Sequence, residues 1–191
     1  MPRLMIKSLP RYECLLEASQ KFRDLDPSAC EAFLHLLRAG DETAKLIDEH
    51  LTEHEISHGR FTVLMLLLDK SKLCPPPSTP AELADKASVT RATMTGLIDT
   101  LERDGYVTRE PDPKDRRMMS VKLTAKGDSR LKEILPGYFQ RIASLMSALS
   151  ESERKTLVRL LVKIVNQAGL SSQSGESLEA HQGPAAAAPT A

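Results

Sequence analysis

The chain has 191 residues, 41% of them hydrophobic and 4% aromatic, with no Trp; this excludes disorder throughout and favours a core of packed helices built from Leu, Ile, Val, Met and Ala. Lys plus Arg and Asp plus Glu both total 26, for a formal net charge of 0 at pH 7, which excludes coating of nucleic acid or membrane by bulk charge and leaves phosphate binding to a local basic patch. Cys14, Cys30 and Cys74 are odd in number and widely spaced, which argues against a disulfide framework or a clustered zinc finger.

Residues 1–28 read as an N-terminal arm in which Arg11 to Phe22 forms a short helix. Lys7, Arg11 and Glu13 interrupt any signal-peptide core. The longest apolar run, Val63 to Leu68, is six residues, far short of the ~20 that span a bilayer. A cytoplasmic chain with no membrane partner is expected. Asp26 or Ser28, with Pro27 between them, starts a helix to about Leu51, on which Phe33, Leu37, Ala44, Ile47 and Leu51 mark one buried side. Ser57 caps the next helix, with Phe61, Leu64, Met65 and Leu68 as its stripe. Leu73 to Pro80 carries four prolines and reads as an extended loop.

Thr79, Pro80 and Glu82 form a capping box that opens a short helix to Lys86. Ala87 to Val89 is a turn, and Thr90 caps a second helix through Arg103, with Met94, Leu97, Ile98 and Leu101 facing inward. Gly105 suits the left-handed position after that helix. Tyr106 to Glu110 and Met119 to Leu123 alternate as two strands around a tip at Asp112 to Asp115. The order is that of a winged helix-turn-helix, and the lobe spans residues 57–124. From Thr124 the chain is helical again, with Pro136 as a kink; Ser150 and Glu153 cap a last helix that Gly169 closes. Residues 29–52 and 125–169 read as a helical dimerisation region, because Leu149, Leu157, Leu160, Leu161, Ile164 and Val165 give the last helix an arc wider than one partner helix covers. The alternative is a monomer whose terminal arms fold back. Residues 171–191 read as a disordered tail. The fold class is mainly α, with a small β-hairpin wing.

In the lobe, Thr90, Arg91, Thr93 and Thr95 lie at the start of the second helix, where small hydroxylated side chains allow close approach to phosphates and base edges and Arg91 can donate to phosphate or guanine. The hairpin holds five cations, Arg109, Lys114, Arg116, Arg117 and Lys122, against Glu110, Asp112 and Asp115, a net +2 in a neutral protein. Lys114, Arg116 and Arg117 are the candidate wing contacts. Asp115 is read as wing support, accepting from one neighbouring guanidinium so that the other faces DNA; Arg117 is favoured as the contact and Arg116 as the acid's partner.

The segment from Glu82 to Gly127, with its LERDGYV helix ending, DPKDRR wing and following LTAKG, resembles the MarR family of transcriptional regulators. The likeness extends over roughly residues 30–168. It implies a homodimer that binds a near-palindromic operator on double-stranded DNA, usually as a repressor relieved by a small-molecule effector or an oxidant. By match, Arg91, Thr93 and Thr95 fall on the reading helix and Asp115 and Arg117 on the wing. Gly96 departs from the pattern at a position where a longer side chain is usual, at a helix-propensity cost of ~1 kcal/mol.

The resemblance also implies an effector pocket between the lobe and the dimerisation helices, with His58 and Arg60 as candidate donors to a small aromatic or carboxylate ligand and His35 or Arg38 opposite. His50, His54 and His58 are four apart, yet Ser57 begins a new helix among them, so surface or interface histidines are expected over a zinc site and no metal or cofactor is assigned. No phosphate loop, HExxH or GxSxG occurs, and the chain is not read as an enzyme. The rival readings are a winged-helix protein-interaction module without an operator and a repressor that senses oxidants through a cysteine.

Overall fold

The computed structural model describes residues 8–68, 79–111 and 118–179, with side chains described as far as residue 169. In chain order the elements are α1 (Tyr12–Lys21), α2 (Pro27–Glu53), α3 (His58–Leu67), α4 (Pro80–Ala87), α5 (Arg91–Arg103), β1 (Val107–Pro111), β2 (Met119–Leu123), α6 (Ala125–Met146) and α7 (Glu151–Glu179). The protein is mainly α with one antiparallel hairpin, paired Val107 to Leu123 and Pro111 to Met119. It divides into two compact units, Met1–Arg141 and Ile142–Ala191. Most of the expected proline loop, with Cys74, lies outside the described residues.

Helix starts follow side-chain chemistry. Asp26 accepts from the Ala29 N–H at 3.0 Å with Pro27 next to it, and Ser57 accepts from the Arg60 N–H at 3.4 Å. Thr79 and Glu82 form the reciprocal capping box, and Ser150 and Glu153 do the same ahead of α7, where the hydrogen bonds from Ser150 hold the Glu153 carboxyl below its ordinary value. Each of these caps satisfies amides that the first helical turn leaves without a partner.

Helix ends share a motif that the sequence announces only once. After α5, the Gly105 N–H donates to Glu102 O and the Tyr106 N–H to Leu101 O, both at 2.9 Å, with Gly105 at φ 75°. The same pair of bonds closes α2 at Glu55 and Ile56 and closes α4 at Ser88 and Val89, with φ of 51° at Glu55 and 53° at Ser88. These are Schellman closures, and two of the three place a side chain where glycine is most easily accommodated. At α7 the expected stop at Gly169 is not taken. The helix runs on to Glu179, because a helical glycine weakens a helix by only ~1 kcal/mol and ends it only where φ turns positive. Part of the expected disordered tail is thus helical; residues 180–191 lie outside the described residues.

The core is centred on the lobe and extends to the end of α2 and into α6. Leu64, Leu83, Met94, Ile98, Leu101, Val121 and Leu131 are buried together, each stabilising the fold by roughly 1.5–3 kcal/mol. Glycine at 59 lets α3 approach α5, since a Cβ there would stand 3.1 Å from Leu97 Cδ2. Of the long helices, α6 supplies Leu131 and Ile134 to this core, whereas α2 and α7 contribute little. α2 fully buries only His50 and Leu51, at its C-terminal end; of the apolar side expected along the rest of it, Ile47 packs partly against the core and Leu37 is half-buried, while Ala44 is exposed and Phe33 is 57% exposed. No described residue of α7 is buried.

Candidate nucleic-acid interface

α4, the turn and α5 form a helix-turn-helix whose second helix is anchored from behind. Met94, Ile98 and Leu101 are fully buried, which turns Arg91, Thr93 and Thr95 outward, all three exposed as the periodicity predicts. Thr90 caps the helix, accepting from the Thr93 N–H at 3.1 Å, and its hydroxyl lies 2.9 Å from that of Thr93. The Thr95 hydroxyl donates to Arg91 O at 2.9 Å. These bonds fix the three hydroxyls while leaving lone pairs and the helix N-terminal dipole toward solvent. No ion-pair partner of Arg91 is found among the described residues. Gly96 faces open space.

The wing carries less available charge than its composition suggests. Arg109 is engaged by Asp99 and Glu102 of α5, at 2.5 Å each, and Lys122 pairs with Glu110 at 2.6 Å. Burial pulls the Arg109 guanidinium down, but the hydrogen bonds to Asp99 and Glu102 more than reverse this and hold it above its ordinary value. Two of the five counted cations are therefore occupied within the lobe. Lys114, Asp115, Arg116 and Arg117 lie outside the described residues. On β2, Ser120 is buried beside Val121 while Met119 is 42% exposed, so the strict alternation expected there fails at its first step.

Behind the reading helix, two cations hold its C-terminal end and a third lies beside them. Arg60 Nη2 donates to the Asp104 carboxylate, and the Lys126 ammonium donates to the Asp104 carbonyl at 2.7 Å. The Tyr106 ring lies near both cations, 5.0 Å from Lys126 Nζ and 6.0 Å from the Arg60 guanidinium carbon. Arg130 donates to His54 O and pairs with Glu133. Glu55, Ile56, Arg60, Asp104, Tyr106 and Arg130 line a cavity of about 210 Å³, at whose wall Arg60 Nε is buried without a hydrogen bond. Glu55, Tyr106 and Arg130 escaped the sequence reading; the turn after LERDG was the one available signal.

The four effector candidates do not converge within the chain. His35 donates to Glu31 O at 2.9 Å and Arg38 pairs with Glu42 at 3.4 Å, both within α2. His58 sits on Asp48 at 3.1 Å, ten residues further along the same helix than Arg38, or ~15 Å at the rise of an α-helix. His50 is buried and donates through Nε2 to Ile134 O at 3.0 Å, whereas His58 is exposed. The His50 and His54 rings meet edge-on with centroids 4.7 Å apart, His58 stands apart from them on Asp48, and no cluster of metal-ligating residues is found among the described residues. Cys14 is exposed, Cys30 half-buried, and both are free thiols. No described helix is long and apolar enough to cross a membrane.

The MarR family model matches residues 56–119, from the end of the α2–α3 turn into β2. The transcriptional repressor YetL of Bacillus subtilis is 35% identical over 158 residues, covering 82% of this chain and 92% of the relative. Among solved structures, the transcriptional regulator PA4135 superposes with a TM-score of 0.59 at 26% identity, over 70% of this chain and 95% of that one. BpsR of Bordetella bronchiseptica, whose DNA binding is regulated by 6-hydroxynicotinic acid, superposes with a TM-score of 0.57 at 26% identity, over 69% and 91%. With its capped reading helix and paired-strand wing, this chain belongs to the MarR family of winged helix-turn-helix transcriptional regulators, DNA-binding proteins without catalytic function.

Proposed function

We propose that the protein is a homodimeric repressor that grips a near-palindromic operator with the Thr90–Thr95 end of α5 and the wing cations Lys114, Arg116 and Arg117, and is released by a small aromatic or carboxylate effector. The observation that carries the reading is the outward row of Arg91, Thr93 and Thr95 on a helix whose opposite side is locked in the core. Thr90 and Thr93 offer hydroxyls to phosphate, Arg91 offers a bidentate donor, and the wing reaches the neighbouring groove.

Dimerisation is supported by uncovered apolar surface. Val158, Leu160, Val162, Ile164 and Val165 are between 49% and 68% exposed on α7, and Leu16 and Phe22 are exposed on or beside α1. Contiguous apolar faces of this kind mark association surfaces. A two-fold pair sets two reading helices about 34 Å apart on one face of the duplex. An effector role for Arg60 draws support from the polar cavity it lines, and an aromatic acid as ligand class from the 6-hydroxynicotinic acid response of BpsR.

The test is an electrophoretic shift on the gene's own upstream region with the parent chain and Arg117→Ala, alongside sedimentation of Ile164→Asp. Salt-sensitive binding that Arg117→Ala weakens, and a monomer from Ile164→Asp that no longer binds, are expected. Indifference to DNA at every salt concentration would favour the protein-interaction module, and release by peroxide that a Cys14→Ser exchange abolishes would favour the oxidant sensor.

A further inference from the structure

Arg109 lies on β1, yet all its polar contacts given above run to α5. Nη1 reaches Glu102 Oε2 and Nη2 reaches Asp99 Oδ1, both at 2.5 Å, and its backbone N–H donates to Glu102 Oε1 at 3.1 Å. The guanidinium is partly buried, with its side chain 24% exposed. Asp99 and Glu102 are three residues apart, so they project from neighbouring turns on one side of α5. A planar fork held by two carboxylates in two directions, with the backbone fixed to one of them, leaves the strand little freedom to pivot on the helix. Lysine cannot reproduce this, having a single ammonium at the end of a flexible stem.

The arrangement has an electrostatic side as well. Asp99 and Glu102 stand on the helix that carries Arg91, and two bare carboxylates there would repel phosphate. The one Arg109 guanidinium offsets one of these two charges while hydrogen-bonding both carboxylates. Fixing the wing and lowering the negative charge on that side of α5 are then one act of one residue.

We infer that Arg109 is a positioning residue for DNA reading, which locks the wing to α5 so that strand and helix meet the duplex as one rigid body. The residue touches no nucleotide itself in this scheme. Its contribution is transmitted through Asp99 and Glu102, which distinguishes it from the cations of the wing tip.

The test uses the full chain, with a duplex recovered by the parent protein from a random pool as the DNA probe. Arg109→Met and Arg109→Lys are compared for amide hydrogen exchange over Val107 to Glu110 in the free protein, for exchange in α2 as an internal control, and for DNA affinity. In Arg109→Met the wing amides exchange about tenfold faster or more, the α2 amides are unchanged, and DNA binding weakens by about tenfold or more. Arg109→Lys, which keeps the charge without the fork, recovers part of the affinity while its wing amides remain fast. Unchanged wing exchange in both variants overturns the inference. So does a loss of affinity with a rigid wing, which would make Arg109 a direct phosphate contact, and so does a mobile wing with undiminished affinity.

Discussion

Gly127 and the carbonyl oxygen of Tyr106 are packed so closely that a β-carbon at position 127 would overlap that oxygen and stand 2.9 Å from Leu123 Cδ1. The approach is drawn in by Thr124, whose hydroxyl accepts from the Gly127 N–H at 3.0 Å and donates to Gly105 O at 2.8 Å. The first turn of α6 is thereby tied to the residues that end the reading helix. Gly127→Ala must push backbone against backbone, a strain of about 1–3 kcal/mol, and the expected outcome is a clear fall in urea midpoint with weakened DNA binding. Thr124→Val, which keeps the shape and loses the cap, should cost about 1–2 kcal/mol by the same measurement. A Gly127→Ala protein as stable as the parent would contradict the packing.

Glu55 and Ser88 occupy left-handed positions at helix ends, where a residue with a β-carbon is strained by roughly 1–2 kcal/mol and glycine is not. Part of that gain is lost to the greater freedom of glycine in the unfolded chain. Glu55→Gly and Ser88→Gly are each expected to raise stability by about 0.5–1 kcal/mol in urea unfolding. Ala at either site should give no such gain, which separates backbone relief from loss of the side chain.

The helices, their caps and the hairpin were legible because they rest on local chemistry: Asp26 beside Pro27, Thr79 with Glu82, Ser150 with Glu153, and Gly105 after an apolar stripe. Positions set by distant neighbours were not. Ser88 and Glu55 carry no mark of positive φ, since the turn's bonds and the packing around it impose the conformation. Arg109 read as one more wing cation because nothing in the hairpin says that Asp99 and Glu102, ten and seven residues earlier, will meet it. The pairing of Arg60 with Asp104 was hidden for the same reason, the two being 44 residues apart. The apolar side of α2 was foreseen, but periodicity cannot say whether the chain itself or another body covers it.

His54 gives the fold a pH dependence whose sign follows from its surroundings. Burial first, then repulsion from His50 and Arg130, lowers its affinity for a proton below the ordinary value of 6.5, with Glu53 and Glu133 opposing. The unfolded chain therefore binds more protons here than the native one as pH falls toward and below 6.5. The contribution is fully present above that pH and is lost as pH drops through the lowered native value. His54 is partly exposed, and solvent screening keeps the effect small. Urea midpoints recorded from pH 7.5 to 5 should decline, and His54→Gln should flatten that decline at its acidic end; identical slopes for the two proteins would remove His54 from the account.

Arg60 and Asp104 join the first turn of α3 to the C-cap of the reading helix. Their side chains are 20% and 34% exposed, so the pair is shielded enough to matter and its loss leaves Arg60, already short of a partner at Nε, with less still. Arg60→Ala and Asp104→Asn are each expected to destabilise by about 1–3 kcal/mol, since removing one partner strands the other. In a double-mutant cycle the two changes should be less than additive by about 1 kcal/mol. The consequence for DNA is sharper than for stability. With one of the ties at the C-terminal end of α5 removed, Arg60→Ala should weaken operator binding even where the protein remains fully folded, as judged by circular dichroism below its melting temperature. An Arg60→Ala protein that binds DNA normally and loses only its response to an aromatic acid would instead assign the guanidinium to the ligand, and the cavity around it would be the place where effector and reading helix compete for one arginine.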